Sequence, residues 1–253
     1  MQLLFPLAVW LAITSGADWI WWAIAFCAHV VYAVVGNNIA LHRYFSHKQF
    51  TVSPPVEKLF VWVSSMCGLG SPLGYAMIHL VHHKYADTIH DPHGRTSCGL
   101  KSVLVCFHKD VDLTATPINT KRVVELSKKY GWLHQWYVLF IVANAAMLFL
   151  INYKLFLFIW LLPATFTVWA AAIAVVCQHW NNEPNNGWYK IHQLLWTYDS
   201  LHKNHHDWPM APNAAVRPNE IDYAFQFSRL FRPKYNWTGQ PRGADHDNEN
   251  TPT

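Results

Sequence analysis

Charge is scarce in this chain. Only 13% of its 253 residues are Asp, Glu, Lys or Arg, about half the share of a typical soluble protein. Basic runs are missing too. The 19 Lys and Arg are scattered, so the net charge of +4 outlines no nucleic-acid surface. Anionic bilayer headgroups suit such scattered cations better. The five cysteines are odd in number and form no C-x-x-C pair. They read as small buried hydrophobes in a reducing setting, and neither Cys98 nor Cys106 has a His or Cys at zinc-finger spacing. A glycine fingerprint for nicotinamide or flavin is absent, as are C-x-x-C-H and H-E-x-x-H. Those absences exclude a self-contained nucleotide redox site, a c-type haem attachment and the common zinc hydrolase motif. No Lys or Arg precedes the first apolar run, as the front of a signal peptide requires. The small residues at 15 to 17 keep a cleaved leader as the competing reading.

Apolar residues are abundant instead, at 52%, with 14 Trp. Residues 2–14 and 19–41 form one apolar pair around Ser15-Gly16-Ala17-Asp18. Residues 135–151 and 155–177 form a second around Asn152-Tyr153-Lys154. The first arm is short, since crossing takes roughly 20 residues. Residues 56–81 are apolar but broken by Gly68, Gly70, Pro72 and Gly74, which predicts a helix that dips in or lies at the interface. The expected architecture is all-α: four transmembrane helices in two hairpins (2–41 and 135–177), with a cytoplasmic helical cap made from 42–133 and 178–238. Together these form one domain, 1–238, followed by a disordered tail, 239–253. Of the 19 Lys and Arg, only Lys154 lies in a hairpin turn. Basic residues favour the cytoplasmic side, so both polar segments are expected there, and every histidine cluster shares one face of the membrane.

Histidine carries the chemical signal. Five of the 16 fall within residues 79–93. His79, His82 and His83 share one helix face at spacings of three and four. His202, His205 and His206 repeat that pattern, and His42 and His47 make a third cluster. His179, directly after the last apolar run, is a ninth candidate. Eight clustered imidazoles exceed the four ligands of a zinc site and suit a pair of metal ions. Without cysteine among them, thiolate zinc and iron–sulfur sites are disfavoured, while imidazole alone leaves Fe, Zn, Cu and Ni open. His29, His108, His134, His192 and His246 have no patterned partner and read as structural.

H-R-x-x-x-H at 42–47 and H-x-x-H-H at 79–83 and 202–206, set between two apolar hairpins, resemble the three histidine boxes of membrane fatty acid desaturases. The acyl-CoA branch is the most similar. Asp91-Pro92-His93 and Glu220-Ile221-Asp222 also resemble that branch. The resemblance implies nine ligands, His42, His47, His79, His82, His83, His179, His202, His205 and His206, holding two Fe2+ ions. Two departures stand out. Val175 occupies the place of an Asn that reaches one iron through water, and Asp199 stands near the place of a Glu before the third box. Asp199 is either a partner that orients a ligand imidazole or a solvated loop acid.

By the same resemblance, the chain is expected to desaturate a long fatty acyl chain with O2. The acyl chain would be carried on CoA, acyl carrier protein or a lipid. Electrons must come from an external carrier, a ferredoxin or small cytochrome. Trp62, Tyr75, Trp169 and Trp180 are candidate walls of an acyl tunnel, and Lys84, Arg95 and Lys121 candidate contacts to an acidic headgroup. A hydroxylase on the same frame is the nearest alternative, because the boxes do not separate the two outcomes. A haem-binding membrane electron carrier is weaker, since only His29 lies well inside an apolar run.

Overall fold

The computed structural model describes residues 1–92, 120–187, 190–191 and 200–237. Asp199, Arg95, Cys98, Cys106 and the expected tail lie outside the described residues. The described chain is mostly helical. A single turn, Gln2–Leu4, leads into α1, Phe5–Thr14, which ends before Gly16 in the left-handed region (φ 63°). Asp18 caps α2 by accepting from the Ile20 amide at 3.2 Å, supplying an acceptor for one of the donors a helix start leaves unpaired. α2 runs Trp19–Ser46, winding as an α-helix to Val30 and as a π-helix over Val31–Ser46. It is followed by α3, Pro54–Met66, and α4, Pro72–Tyr85. Pro72 in the first turn and the Ser71 cap on the Gly74 amide (3.1 Å) start α4 afresh, so the glycine-interrupted run becomes two helices rather than one span. α5, Thr120–Gln135, meets α6, Tyr137–Ile151, at a 55° bend. Asn152 then caps α7, Tyr153–Gln178, through the Lys154 amide (2.8 Å). Two short helices follow, α8, His202–Asp207, and α9, Tyr223–Ser228. Among the described residues one strand pair forms, antiparallel, β1 (Phe50–Thr51) with β2 (Lys234–Tyr235), Phe50 opposite Tyr235.

The all-helical expectation and the structure differ in two places. Among the described residues, only α2 and α7, 28 and 26 residues long, are individually long and apolar enough to cross a bilayer; the bent α5–α6 pair makes a third if taken as one path. Gln2–Thr14 is shorter than a crossing needs. The first hairpin also does not stop at residue 41. α2 continues through the polar His42-Arg43-Tyr44 stretch to Ser46, because its surroundings, not its composition, satisfy it: Arg122 of α5 donates to the Tyr44 and Phe45 carbonyls, both at 2.8 Å.

α2 and α7 pack against each other and are tied in mid-run by His29 Nδ1 and Thr167 Oγ1, 2.9 Å apart. α3 packs on the π-helical part of α2. A Cβ on Gly36 would stand 3.2 Å from Cys67 Cβ and 3.3 Å from the Val63 carbonyl, so glycine permits that approach. Glu57 of α3 accepts from Lys129 and Tyr130 of α5, each at 2.5 Å.

Candidate metal centre

Four segments deliver the histidines to one place: the end of α2, the last turns of α4, the residue after α7, and α8. The π-winding of α2 matters here. Residues five apart on an α-helix point roughly 140° away from each other. The His47 amide instead donates to the His42 carbonyl at 3.1 Å, a five-residue step, and the two rings lie 5.0 Å apart by centroid. α4 contributes His79, His82 and His83 at ordinary α spacing. α8 has only six residues, too few to hold itself together. It is pinned from outside by Asn204, whose amide donates to the Ala214 carbonyl (2.9 Å) and to Glu220 (2.8 Å).

All nine predicted positions converge, in two groups. His42, His47, His79, His83 and His205 form one; His82, His179, His202 and His206 form the other. Within each group, one ring nitrogen from every residue lies within 4.8 Å of all the others. In the first, Nε2 atoms approach at 2.8 Å (His42 and His205), 2.8 Å (His47 and His79) and 3.0 Å (His83 and His205). In the second, His179 and His202 meet at 2.7 Å. α4 feeds both groups, His79 and His83 to one and His82 to the other. Asp199, read from the sequence as either an orienting acid or a solvated loop acid, lies outside the described residues.

Two acids that sequence reasoning left without a role orient the rings. Asp91, fully buried, accepts from the His82 Nδ1–H at 2.9 and 3.0 Å. Asp87 does the same for His179 at 2.8 Å. A carboxylate on Nδ1 fixes the tautomer and turns the Nε2 lone pair toward the cluster. Asp87 adopts φ 63°, unusual for a residue other than glycine. That twist ends α4 and brings Asp91 back, its Oδ2 accepting from the Asp87 amide at 3.0 Å. The available signal was two acids four and eight residues past the last histidine of the second box.

Electrostatics favour a neutral cluster. Burial pulls His47, His79, His82, His202, His205 and His206 well below the ordinary imidazole value, and neighbouring imidazoles push the same way. His83 is pulled to about 4 by burial first and His179 next, with Asp91 opposing. Neutral imidazole is the form that binds metal. Nitrogens each about 2.1 Å from one ion and at right angles to each other lie roughly 3 Å apart, the spacing found here. His206 Nε2 is buried with no hydrogen-bond partner among the described residues, a state native structures avoid and a cation would relieve. The donor set therefore fits two nitrogen-bound metal ions.

A second buried network braces the site. Arg43, between the first two box positions, donates to Asp222 at 2.9–3.0 Å and to the Pro212 carbonyl at 2.7 Å. Asp222 also accepts from the Ala214 and Phe225 amides. Of the aromatic candidates, Tyr75 stacks on His79 (centroids 5.6 Å). Trp169 binds the Gln2 carbonyl, and Trp62 and Trp180 are exposed. Val175 is buried one turn before His179, its carbonyl accepting from the His179 amide at 3.1 Å.

Apolar helices ending in a shared polyhistidine cluster define a membrane-protein class with a metal-competent site. The family model described as "Fatty acid desaturase" matches residues 17–238, most of the chain, and the chain belongs to that family. It is 22% identical to an acyl-CoA C20 Delta5-desaturase of Anemone leveillei over 85% of this chain and 72% of that one. It is 26% identical to the chloroplastic palmitoyl-monogalactosyldiacylglycerol delta-7 desaturase of Arabidopsis thaliana over 73% of this chain. That match spans only 52% of the relative's own length. A shorter match, 33% identical over 69 residues, is to the sn-1 stearoyl-lipid 9-desaturase of Synechocystis sp. and covers 27% of this chain and 22% of that one.

Proposed function

We propose that this chain is a membrane-bound di-iron desaturase that introduces a double bond into a long fatty acyl chain. The observation that carries the reading is the sorting of nine imidazoles, seven buried and His83 and His206 partly so, into groups of five and four. His42, His47, His79, His83 and His205 would hold one iron, and His82, His179, His202 and His206 the other. When bound, two ferrous ions supply the O2-dependent oxidation of unactivated carbon. This chain's own groups prepare the place. Asp87 and Asp91 hold protons on the far nitrogens of His179 and His82. Tyr75 covers one face of His79, and the apolar walls of α2 and α7 suit an extended hydrocarbon.

The proposed membrane arrangement keeps residues 1–238 as one domain with two hairpins, α1–α2 and α6–α7, and the histidines on the cytoplasmic side. α1 and the bent α5–α6 pair then complete four passages, the first thinning the bilayer or tilting little. Electrons arrive from a ferredoxin or small cytochrome. A surface cavity of about 250 Å³ reaches His47 and is lined by Lys48, Lys121, Arg122 and Glu125; its excess of cations suits an acidic carrier. The relatives' names support a fatty acyl substrate on CoA or a lipid.

The test is fatty acid profiling of a host expressing the intact protein beside a His82→Ala, His83→Ala variant. New double bonds only with the unmodified protein are expected. Hydroxy acids without new double bonds would convert the reading to a hydroxylase.

A further inference from the structure

Two polar side chains outside the histidine groups lie one helical turn from them. Asn37 and Asn38 sit on the π-helical part of α2, and both are fully buried, at 0% exposure. All four of their amide atoms lack a hydrogen-bond partner among the described residues. Buried amides in folded proteins are nearly always paired, and a bilayer interior offers no bulk water in compensation. A polar helix residue often falls back on the carbonyl one turn behind it; neither asparagine does so. A polar pair placed at such cost inside a span marks a site by default.

Helical register says what the pair faces. Asn37, His42 and His47 are spaced by five, and Asn38 and His42 by four. Those two rows flank one line along a helix bonded from each residue to the fifth, and His42 belongs to the five-histidine group. Asn37 and Asn38 therefore lie one turn to the bilayer side of that group. The His29–Thr167 contact aligns α2 with α7. Asn38 and Val175 each precede a site histidine by four residues, His42 of the five-histidine group and His179 of the other. Val175 is apolar, whereas α2 carries an amide at the same offset from its histidine. Five imidazoles leave one position of a six-coordinate ion open.

We propose that Asn37 and Asn38 hold a water molecule in the open, bilayer-side position of the ion bound by His42, His47, His79, His83 and His205. The inference rests on the two-ion reading above. It makes the pair positioning residues that set the coordination number of one ion and keep a polar pocket where the surrounding helices are apolar.

Cobalt(II) is the probe, because its visible bands strengthen when the coordination number falls. The purified full chain, an Asn37→Leu/Asn38→Leu variant and an Asn37→Ser/Asn38→Ser variant are loaded and compared. Two cobalt ions per chain are expected in each, with visible absorption several-fold stronger in the leucine variant and near wild type in the serine variant. A second measurement needs no substitution: the wild-type cobalt EPR signal should broaden in water enriched in oxygen-17. A wild-type chain with two ions and no broadening overturns the water site alone, as does a leucine variant with an unchanged spectrum. A wild-type chain that binds no cobalt overturns the two-ion reading and this inference with it.

Discussion

Asp91 acts at the scale of one proton. With His82 Nδ1 held at 2.9 Å, the imidazole has one usable lone pair, and it faces the cluster. Removing a carboxylate that orients a metal-binding histidine typically costs 10–100-fold in affinity. Asp91→Ala is expected to weaken binding of one metal ion by about that factor and to spare the other, as a two-phase chelator titration would report. Equal weakening of both ions, or none, would contradict the assigned role. Arg43 and Asp222 act differently. Their side chains are 1% and 2% exposed, so Asp222→Ala strands a buried guanidinium and two backbone amides. Breaking such a pair costs about 3–5 kcal/mol, readable as a lowered unfolding midpoint. Arg43→Met/Asp222→Leu should recover much of that loss, because no charge is left unpaired. The histidines were legible in the sequence because imidazole spacing is local. Asp87 and Asp91 were not, since their roles depend on a left-handed residue that folds the chain back onto its own helix. Asp199, for which the sequence left an orienting role and a solvated loop acid both open, falls outside the described residues.

At the scale of elements, α2 departs most from what composition announces. The apolar run ends near residue 41, and a helix of ordinary winding would turn His47 away from His42. The wider winding, the Gly36 contact with α3 and the Arg122 cap on the last carbonyls all come from packing partners distant in the chain. None of these is written in the local pattern. One inserted alanine between Tyr44 and Phe45 should therefore carry His47 off the shared line. Metal content is expected to fall from two ions per chain to one or none, while the same insertion after Ser15, in the α1–α2 turn, leaves it unchanged. Retention of both ions after the first insertion would show that the five-residue step is not what joins these two histidines. The break between α3 and α4 was legible, because glycine and proline punctuate a helix wherever it is placed.

Across the whole molecule, the distribution of Lys and Arg and the direction of the helices point the same way. α2 and α7 both end at the histidines, which puts the α1–α2 and α6–α7 turns together at the far end. Cysteine placed at Ser15 or Asn152, in a background with the native cysteines replaced, should react with an impermeant thiol reagent added outside intact cells. Cysteine at Ser53 should react only after lysis. The reverse pattern would invert the topology, and labelling of Ser15 and Asn152 from opposite sides would break the paired hairpins. The sequence marked the apolar runs but not how many of them cross, since α1 is short and α5–α6 bends.

Iron counting reaches furthest. His82 belongs to the four-histidine group and His83 to the five-histidine group, so one double substitution disables both. Chain purified from iron-replete cells and assayed for iron against folded protein should carry two ions, and the His82→Ala, His83→Ala variant fewer than one. A wild-type chain that never exceeds one ion, or a variant that keeps two, would mean that the nine imidazoles do not form a paired metal centre.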